Sequence, residues 1–273
     1  ETPIIEYEEF VKGENPQDEA VSDVFKLKDK GNRKLALRYE FTFQLKRLMQ
    51  NQKLPFKRFQ IGAVFRDEPI SGNRYRQFVQ CDVDVIGSTI KDDAELLSLA
   101  KNVLKNLNIE GTIYFNNRKL LNEILETEKI KNKIEVIKEL DKLDKLPELE
   151  VRENLKKYKA EKILEIIKKP KSYFKKYSAF SEIEELEKYL DYFKVNAEFN
   201  PSLARGLSYY NSTIFEIKTN EIKETITGGG SYMFNGIQCT GISFGLERLD
   251  LLAKVKYDNE KILIVSLNKD KEA

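Results

Sequence analysis

Hydrophobic and polar residues alternate along two segments between residues 58 and 87, which is the pattern of β-strands with two unlike faces. In the first segment, one face carries Phe59, Ile61, Ala63 and Phe65. In the second, one face carries Val79, Cys81, Val83 and Val85, and the opposite face carries Gln80, Asp82 and Asp84. The pattern predicts two strands, the second of which presents a row of polar side chains.

The loop between these strands is rich in turn residues and in arginine. Its turn-forming sequences are DEP at 67–69 and SGN at 71–73, and they leave Arg66, Arg74 and Arg76 near one mouth of the hairpin. Guanidinium groups beside a carboxylate-bearing strand face suit a ligand that carries both negative and positive groups. An ordinary polar sheet face is the alternative, and the alternation alone favours it. The arginine cluster favours the ligand site.

Similar patterns predict the other elements of the chain. Strands are expected at residues 2–7, 24–27, 35–38 and 111–115, within 203–216, and at 238–243. Helices are expected at 41–49, with Glu40 and Thr42 at its start, and at 118–125 and 246–254. Another helix is expected to open at Asp92 through a D-x-x-E capping pattern and to bury a stripe of Leu96, Leu99, Ala100, Val103, Leu104 and Leu107. Strands on both sides of helical sequence indicate an α+β fold with an antiparallel sheet.

Residues 126–194 differ from the rest in composition, because Lys, Glu, Leu and Ile dominate there. Ile130, Ile134, Ile137 and Leu140 lie on one helical face, and Pro147 and Pro170 interrupt the pattern. We predict a helical insertion at 126–194 between two parts of a core, 1–125 and 195–260. The strand-like run at 262–267 predicts that 261–273 begins a further domain. The charged faces of the insertion are expected to be solvated, with contact to tRNA as the alternative.

Composition and hydropathy indicate a protein without a membrane segment. The chain has 273 residues with 41% hydrophobic and 34% charged residues and a formal net charge of +2, which is typical of a soluble globular protein. It has no apolar run near the roughly 18 residues of a spanning helix, and its first residues lack the features of a signal peptide. We therefore expect a cytoplasmic protein with no membrane segment.

Histidine is absent from the sequence, and the cysteines are Cys81 and Cys239. Nucleophile pairs of the Ser-His or Cys-His type and histidine-based metal sites are therefore excluded. The two cysteines are far apart and fit no metal spacing, so reduced thiols are expected. Any chemistry must depend on arginines, carboxylates, tyrosines, backbone amides or the substrate itself.

Arg66, Arg205 and Arg248 occur beside turns or glycines, among them Gly206, Gly228–Gly230 and Gly245. Arginine forks with close backbone approach suit phosphate groups. Each arginine alone is more typical of a surface salt bridge, and three consecutive glycines more often form a turn. The lysine-containing phosphate loop and the G-x-G-x-x-G dinucleotide motif are both absent. Asp82 and Asp84 suit Mg²⁺ or a cationic ligand, and Tyr209 and Tyr210 suit a small polar ring.

Five segments resemble the catalytic domain of histidyl-tRNA synthetases, which are class II aminoacyl-tRNA synthetases: LALRYEFT, FKRFQIGAVFRDEPISGNRYRQFVQCDVDVIG, LARGLSYYNSTIFE, GGGSY and GISFGLERL. The second contains a segment similar to class II motif 2, and the last resembles motif 3. Pro3 resembles the end of motif 1, whose preceding helix is expected to be missing. The QCDVDVIG form is more similar to archaeal and eukaryotic members.

The resemblance implies the class II catalytic fold, a six-stranded antiparallel sheet flanked by helices, in a homodimer. It implies that histidine reacts with ATP, accompanied by Mg²⁺, and that the histidyl group is then transferred to tRNA(His). No protein metal site is implied beyond the Mg²⁺ carried with ATP. The C-terminal anticodon-binding domain is expected to be missing.

The resemblance also assigns residues to roles. Arg66, Arg205 and Arg248 match the catalytic arginines, with Arg66 and Arg205 at the α-phosphate and Arg248 at the γ-phosphate. The ATP site is completed by Glu68, Arg74, Tyr75 and Phe78. Glu40, Thr42 and Gln80 match residues that hold the amino group of histidine. The rest of the histidine pocket is assigned to Asp84, Tyr209, Tyr210 and Tyr232, with Arg205 beside the carboxylate. No role follows for Asp82.

The chain departs from the family pattern at a few positions of the histidine pocket. Ser208 stands where the family usually has Asp, Ser231 where it has Arg, and Met233-Phe234 where it has Asp-Gly. The alternative function is a regulatory or tRNA-sensing module of the same fold without aminoacylation. Such modules tend to lose the arginines that contact ATP, whereas Arg66, Arg205 and Arg248 are all present here.

Overall fold

A computed structural model describes residues 1–12, 22–45, 52–70, 74–205 and 209–255. Near the N-terminus, three short strands form an antiparallel sheet in the order β1-β3-β2: β1 (Ile5–Tyr7), β2 (Lys26–Lys28) and β3 (Lys34–Leu37). The turn between β2 and β3 is held by Asp29, whose carboxylate accepts the N–H groups of Gly31 and Arg33. These strands confirm three of the predicted segments within a few residues.

The main sheet has seven strands in the order β4-β5-β10-β9-β8-β6-β7. Their bounds are β4 (Phe56–Phe65), β5 (Gln77–Ile86), β6 (Thr112–Asn117), β7 (Glu198–Phe199), β8 (Tyr210–Lys218), β9 (Thr227–Phe234) and β10 (Ile237–Gly245). All neighbours are antiparallel except β6 and β7, which are parallel. The expected six-stranded antiparallel sheet is thus present, and the two-residue strand β7 extends its edge.

Helices cover one face of the main sheet and form most of the segment between β6 and β7. They are α1 (Glu8–Lys12), α2 (Ile90–Asn106), α3 (Arg118–Thr127), α4 (Lys133–Asp141), α5 (Glu148–Lys156), α6 (Ile163–Ile166), α7 (Phe180–Tyr192) and α8 (Leu246–Leu252), with 3₁₀ turns at Lys142–Asp144 and Lys171–Lys176. Helix α2 packs on β10 and α7, and α7 packs on β6. Helix α1 packs on β1 and β3 of the small sheet, whereas the apolar faces of the other helices share one hydrophobic core with the main sheet.

The start and the buried face of α2 differ from the prediction. Its N-cap is Thr89, and Asp92 lies inside the first turn, where its carboxylate accepts the N–H and hydroxyl of Thr89 at 2.8 and 2.9 Å. Leu97 is buried and Leu99 is exposed. Helix α7 packs against α2, and the predicted set of buried residues did not include the side of α2 that carries Leu97. In α4 the predicted stripe is also interrupted, since Ile134 is exposed.

The three consecutive glycines lie inside β9 and do not form a turn. At Gly229 a Cβ would lie 2.7 Å from the Phe215 ring and 2.9 Å from the Ile242 backbone, and at Gly230 it would lie 2.5 Å from the Thr213 carbonyl. Neighbouring strands therefore approach β9 too closely for any side chain there. The glycines permit sheet packing, which local sequence statistics do not reveal.

The predicted hairpin is confirmed as β4 and β5, but its two faces are distributed against the usual rule. Phe59 and Ile61 on the apolar face are 72% and 52% exposed. The polar side chains of Gln80, Asp82 and Asp84 are buried instead. The predictions for residues 46–49 of the first helix, for 71–73, for Gly206 and Ser208, and for the strand at 262–267 lie outside the described residues.

Candidate active site

The floor of a large cavity is formed by rows of paired residues that cross the main sheet. In one row Asp84 of β5 pairs with Gly241 of β10, which pairs with Gly230 of β9. In the next row Asp82 pairs with Ser243, which pairs with Gly228. Paired residues project to the same side of a sheet, so glycines alternate here with polar side chains. Because the glycines have no side chains, the floor is concave.

The cavity has a volume of about 1020 Å³ and brings together residues that are distant in the sequence. Every site residue assigned by the resemblance lines it: Glu40, Thr42, Arg66, Glu68, Arg74, Tyr75, Phe78, Gln80, Asp84, Arg205, Tyr209, Tyr210, Tyr232 and Arg248. Asp82 lines it as well. The fold therefore brings the assigned residues together around one cavity.

One end of the cavity is strongly cationic. The Arg66 guanidinium lies 4.3 Å from the centroid of the Tyr39 ring and 5.0 Å from that of Phe78, so aromatic rings hold it in place. Arg248 projects from α8, and its Nη1 donates to the Thr225 carbonyl at 2.6 Å. Burial lowers the pKa of Arg248, the carboxylate of Glu224 opposes this, and the positive charges of Arg74 and Arg66 lower the pKa further. An arrangement of mutually repelling guanidinium groups is suited to an anion with several charges.

Arg205 occupies the middle of the cavity in an unusual backbone conformation. Its φ of 42° lies in the left-handed region, which is uncommon for arginine and typical of functional sites. Its guanidinium lies against Gly228, where a Cβ would be 2.7 Å from Cζ, and its Nη1 is 3.6 Å from the Glu216 carboxylate. Burial disfavours the charge of Arg205, but Tyr210, Glu216, Asp141 and Tyr209 together outweigh burial and raise its pKa.

Two buried side chains hold the segment that carries Arg205. The Asn116 amide donates to the carbonyls of Pro201 and Leu203 at 3.1 and 2.9 Å. Arg118 Nη1 donates to the carbonyls of Ala204 and Arg205 at 2.9 and 3.2 Å. These bonds fix the backbone next to Arg205 while its guanidinium projects into the cavity. Sequence reasoning missed both residues, because Asn and Arg side chains are mostly exposed in proteins and nothing in the local sequence indicates that these two are buried.

The opposite end of the cavity is built around Asp84. Tyr232 donates its hydroxyl to Asp84 Oδ1 at 2.9 Å, and Arg58 donates to Oδ2 through Nη2 at 3.0 Å and Nε at 3.1 Å. Burial raises the pKa of Asp84, and Arg58 and Tyr232 oppose this by stabilising the carboxylate. A Cβ at Gly241 would collide with Oδ1, so glycine is required beneath it. The result is a fixed acceptor in a buried, aromatic setting.

Three tyrosines form the wall above Asp84. The rings of Tyr209 and Tyr210 lie 4.7 Å apart, and those of Tyr209 and Tyr232 lie 5.8 Å apart. The Tyr209 hydroxyl is 3.5 Å from Glu40 Oε2. Burial raises the pKa of Tyr209 and of Tyr232 well above the usual value, so both phenols are neutral. Flat apolar walls with hydroxyl groups at their edges suit a small polar ring.

Arg58 and Ser231 show what the sequence pattern could and could not reveal. Arg58 precedes the outward-facing Phe59, so its side chain projects to the cavity side of β4, where Arg58 pairs with Asp84. The alternation of the strand was therefore sufficient to predict this orientation. Ser231 lies on the other side of β9 from Tyr232, and its hydroxyl donates to the buried Asp93 carboxylate of α2 at 2.8 Å. This departure from the family pattern therefore lies beneath the sheet and outside the cavity. Met233 is exposed and Phe234 is buried in a small cluster with Leu45 and Tyr232.

Metal-binding clusters and membrane-spanning helices bear on the class of protein. Among the described residues, no group of three or more Cys, Asp or Glu side chains is arranged to hold a metal ion. In the same part of the chain, no helix combines the length and the apolar character needed to cross a bilayer.

Comparison with known proteins identifies the relatives of the chain. A model of the histidyl-tRNA synthetase family matches residues 1–249. Histidine--tRNA ligase 1 of a Bacillus cereus strain is 37% identical over 265 residues, covering 84% of this chain and 62% of the relative. Histidine--tRNA ligase of Korarchaeum cryptofilum is 33% identical over 279 residues, covering 91% of this chain and 65% of the relative. The chain thus spans less than two thirds of the length of these relatives, which include bacteria and archaea.

Solved structures give the same fold. Histidyl-tRNA synthetase from Nostoc sp. PCC 7120 superposes with a TM-score of 0.76 at 24% identity, covering 92% of this chain and 66% of that one. A protein from Bacillus halodurans C, described as an ATP phosphoribosyltransferase regulatory subunit/histidyl-tRNA synthetase, superposes with a TM-score of 0.77 at 20% identity, covering 92% of this chain and 73% of that one. The extent of the family match and the identity to the ligases mean that this chain belongs to the histidyl-tRNA synthetase family.

Proposed function

We propose that this chain is the catalytic part of a cytoplasmic histidine--tRNA ligase, which activates histidine with ATP and transfers it to tRNA(His). The observation that carries the proposal is the shared cavity, which has a cationic end at Arg66 and Arg248 and an acidic, aromatic end at Asp84. Such a cavity matches a reaction between a polyanion and a small amino acid with a polar ring. The core is proposed to comprise 1–125 and 195–260, with 126–194 as an insertion.

Activation joins two anions, because the carboxylate of histidine attacks the α-phosphate of ATP and pyrophosphate leaves. Arg66 is proposed to bind the α-phosphate and Arg248 the γ-phosphate. Arg205, between the two ends of the cavity, is proposed to contact both the attacking carboxylate and the α-phosphate. Fixed guanidinium groups offset the repulsion and stabilise the charge that develops on the phosphoryl oxygens. Mg²⁺ enters with the triphosphate and neutralises part of its charge.

The remaining ATP contacts are proposed for the hairpin loop and its neighbours. Glu68 Oε2 and Arg74 Nη1 lie 3.8 Å apart, and both residues line the cavity at the end proposed for the nucleotide. The Phe78 ring packs against the Arg66 guanidinium, and the exposed ring of Tyr75 also lines the cavity. The exposed Arg74 and Arg76 at the described end of this loop also suit approach of the tRNA acceptor end.

Recognition of histidine is proposed to depend on Asp84. Its carboxylate, oriented by Tyr232 and Arg58, accepts an N–H of the imidazole ring, and Tyr210 lines the other side. Glu40, Thr42 and Gln80 line the part of the cavity proposed for the amino group. A buried acceptor discriminates against amino acids that have no N–H at this position, because its carboxylate would then be left without a donor.

A regulatory or tRNA-sensing module of the same fold is the second candidate, and the structural neighbour from Bacillus halodurans C carries both descriptions. The retention of Arg66, Arg205 and Arg248 around one cavity favours the enzyme. A homodimer is also proposed, because apolar side chains of Ile5, Phe59 and Ile61 are exposed at the surface of the molecule.

Pyrophosphate exchange with MgATP and each amino acid in turn tests the function. The enzyme predicts exchange that depends on histidine alone. Absence of histidine-dependent exchange above background, with a folded protein and micromolar enzyme, would refute the ligase and favour the regulatory module. Transfer to tRNA(His) is measured separately, and sedimentation velocity reports the proposed dimer.

A further inference from the structure

A chain of hydrogen bonds links Gln80, Ser243 and Asp82 in the floor of the cavity. Gln80 Nε2 donates to Ser243 Oγ at 2.8 Å, and Ser243 Oγ donates to Asp82 Oδ1 at 2.5 Å. The direction follows from Gln80, because an amide N–H only donates, so the hydroxyl accepts from it and its own hydrogen points to Asp82. The serine hydroxyl therefore donates to Asp82 and accepts from Gln80.

This direction leaves acceptor oxygens for a ligand. Gln80 Oε1 is buried and has no hydrogen-bond partner within the described residues. Asp82 is 4% exposed and lines the cavity, and within the same residues only Ser243 donates to its carboxylate. Buried acceptors without donors are unfavourable unless a ligand supplies the missing N–H or O–H groups. A group with several N–H donors and a positive charge satisfies both oxygens at once.

We propose that Asp82, oriented by Ser243 and acting with Gln80, binds the α-ammonium group of the amino acid substrate. The inference rests on the proposed function and adds to it a carboxylate for which the family resemblance assigns no role. A primary ammonium has three N–H donors, and a histidine whose ring lies at Asp84 places its amino group a few bonds away along the same strand face. Asp82 and Asp84 then divide the two ends of one small molecule.

The charges that surround Asp82 make this binding depend on protons. Burial raises the pKa of Asp82 to about 7, the adjacent charge of Asp84 raises it as well, and Arg58 and Arg66 oppose the shift. Across the sheet, the hydroxyls of Ser243 and Tyr210 face the same region. Near neutral pH, Asp82 is partly protonated in the free protein. An arriving ammonium favours the ionised carboxylate, so binding releases a proton to the buffer.

Titration calorimetry with two histidine analogues, one with and one without the amino group, tests the role of Asp82. L-histidinol keeps the ring and the ammonium but lacks the carboxylate, and imidazole-4-propionate keeps the ring and the carboxylate but lacks the ammonium. We expect Asp82→Asn to weaken L-histidinol binding by roughly 10- to 100-fold, the loss typical of a hydrogen bond to a charged group. Imidazole-4-propionate binding is expected to change by less than about twofold.

Proton release gives a second readout that a merely structural role would not change. In buffers of different ionisation enthalpy near pH 7, the wild-type protein is expected to release about half a proton more per L-histidinol than Asp82→Asn does. Asp191→Asn, at an exposed position of α7, is the matched control and should behave as wild type. Should Asp82→Asn fail to fold, Ser243→Ala removes the orienting hydroxyl and should weaken L-histidinol binding by about tenfold.

The outcomes separate the two proposals. If wild type shows histidine-dependent exchange but Asp82→Asn binds both probes as well as the control does, the ammonium site is wrong and the ligase stands. If Asp82→Asn weakens both probes equally, the residue shapes the pocket without reading the amine, and the inference is again wrong. If wild type binds neither histidine nor L-histidinol, the proposed function fails, and the inference that rests on it fails too.

Discussion

The contact between Arg205 and Gly228 offers a test of catalysis that leaves the fold intact. A Cβ at Gly228 would lie 2.7 Å from Arg205 Cζ and 2.9 Å from Nη2. Atoms in ordinary contact are about 3.5 Å or more apart, so Gly228→Ala must displace the guanidinium by about 1 Å. The guanidinium is the end of a flexible side chain and can move into the cavity, so the global stability should change little.

The expected effect follows from the precision that phosphoryl and acyl transfer require. A displacement of about 1 Å at a group that stabilises the transition state can lower the rate by roughly 100-fold. Removing the group in Arg205→Ala should lower the rate by roughly 100- to 1000-fold. If Gly228→Ala acts only through Arg205, the double variant should be no slower than Arg205→Ala alone.

Histidine-dependent pyrophosphate exchange at saturating ATP measures the rates, and thermal unfolding by circular dichroism measures the stability. Gly31→Ala is the control, since a Cβ there meets no atom closer than 3.4 Å in a turn far from the cavity. Both glycine variants should unfold within about 3 °C of wild type. Full exchange activity in Gly228→Ala, or additive losses in the double variant, would refute the assignment of Arg205 as a precisely positioned catalytic group.

Three further predictions concern charges around and beneath the cavity. Glu216→Gln should slow exchange by about tenfold, with little change in the KM for histidine, because Arg205 loses the carboxylate 3.6 Å away that orients it; an unchanged kcat would contradict this. Arg58→Met should destabilise the protein in urea by roughly 3 kcal/mol, because Asp84 is left as an uncompensated buried carboxylate, and Asp84→Asn in the same chain should recover part of that loss. Burial raises the pKa of Asp93 to about 6, so its protonated form is favoured in the folded protein, and its contribution to stability is present at low pH and is lost as the pH rises from about 4 through about 6. Asp93→Asn should therefore flatten this decline by ~3 kcal/mol in urea titrations at several pH values, and parallel curves for the two proteins would refute it.

Predictions of individual strands and helices succeeded where local periodicity was sufficient. The alternation of residues 58–65 and 79–85 predicted β4 and β5, because a strand repeats every two residues whatever lies around it. Helix α2 was likewise predicted from spacing, but its buried side shifted from Leu99 to Leu97. Periodicity specifies the kind of element, and the neighbouring helix decides which flank is covered.

In the candidate site, too, some residues could be predicted from the sequence and others could not. Resemblance to family motifs predicted that Arg66, Arg205 and Arg248 belong to one site, and all three line the cavity. The side chains that hold them, such as Asn116 and Arg118, carry no local signal, because their bonds reach loops about 85 residues further along the chain.

The sequence was enough to predict the strands of the hairpin, to exclude catalytic histidine side chains in this chain and to reveal the resemblance to a family. The packing of the folded chain determines which face of the hairpin is buried, because burial depends on what packs against a strand and not on the strand's own alternation. It also decided that three glycines form a strand, since the approach of Phe215 and Ile242 leaves no space for a Cβ at Gly229. The role inferred for Asp82 has the same origin: Ser243 orients it from 161 residues further along the chain.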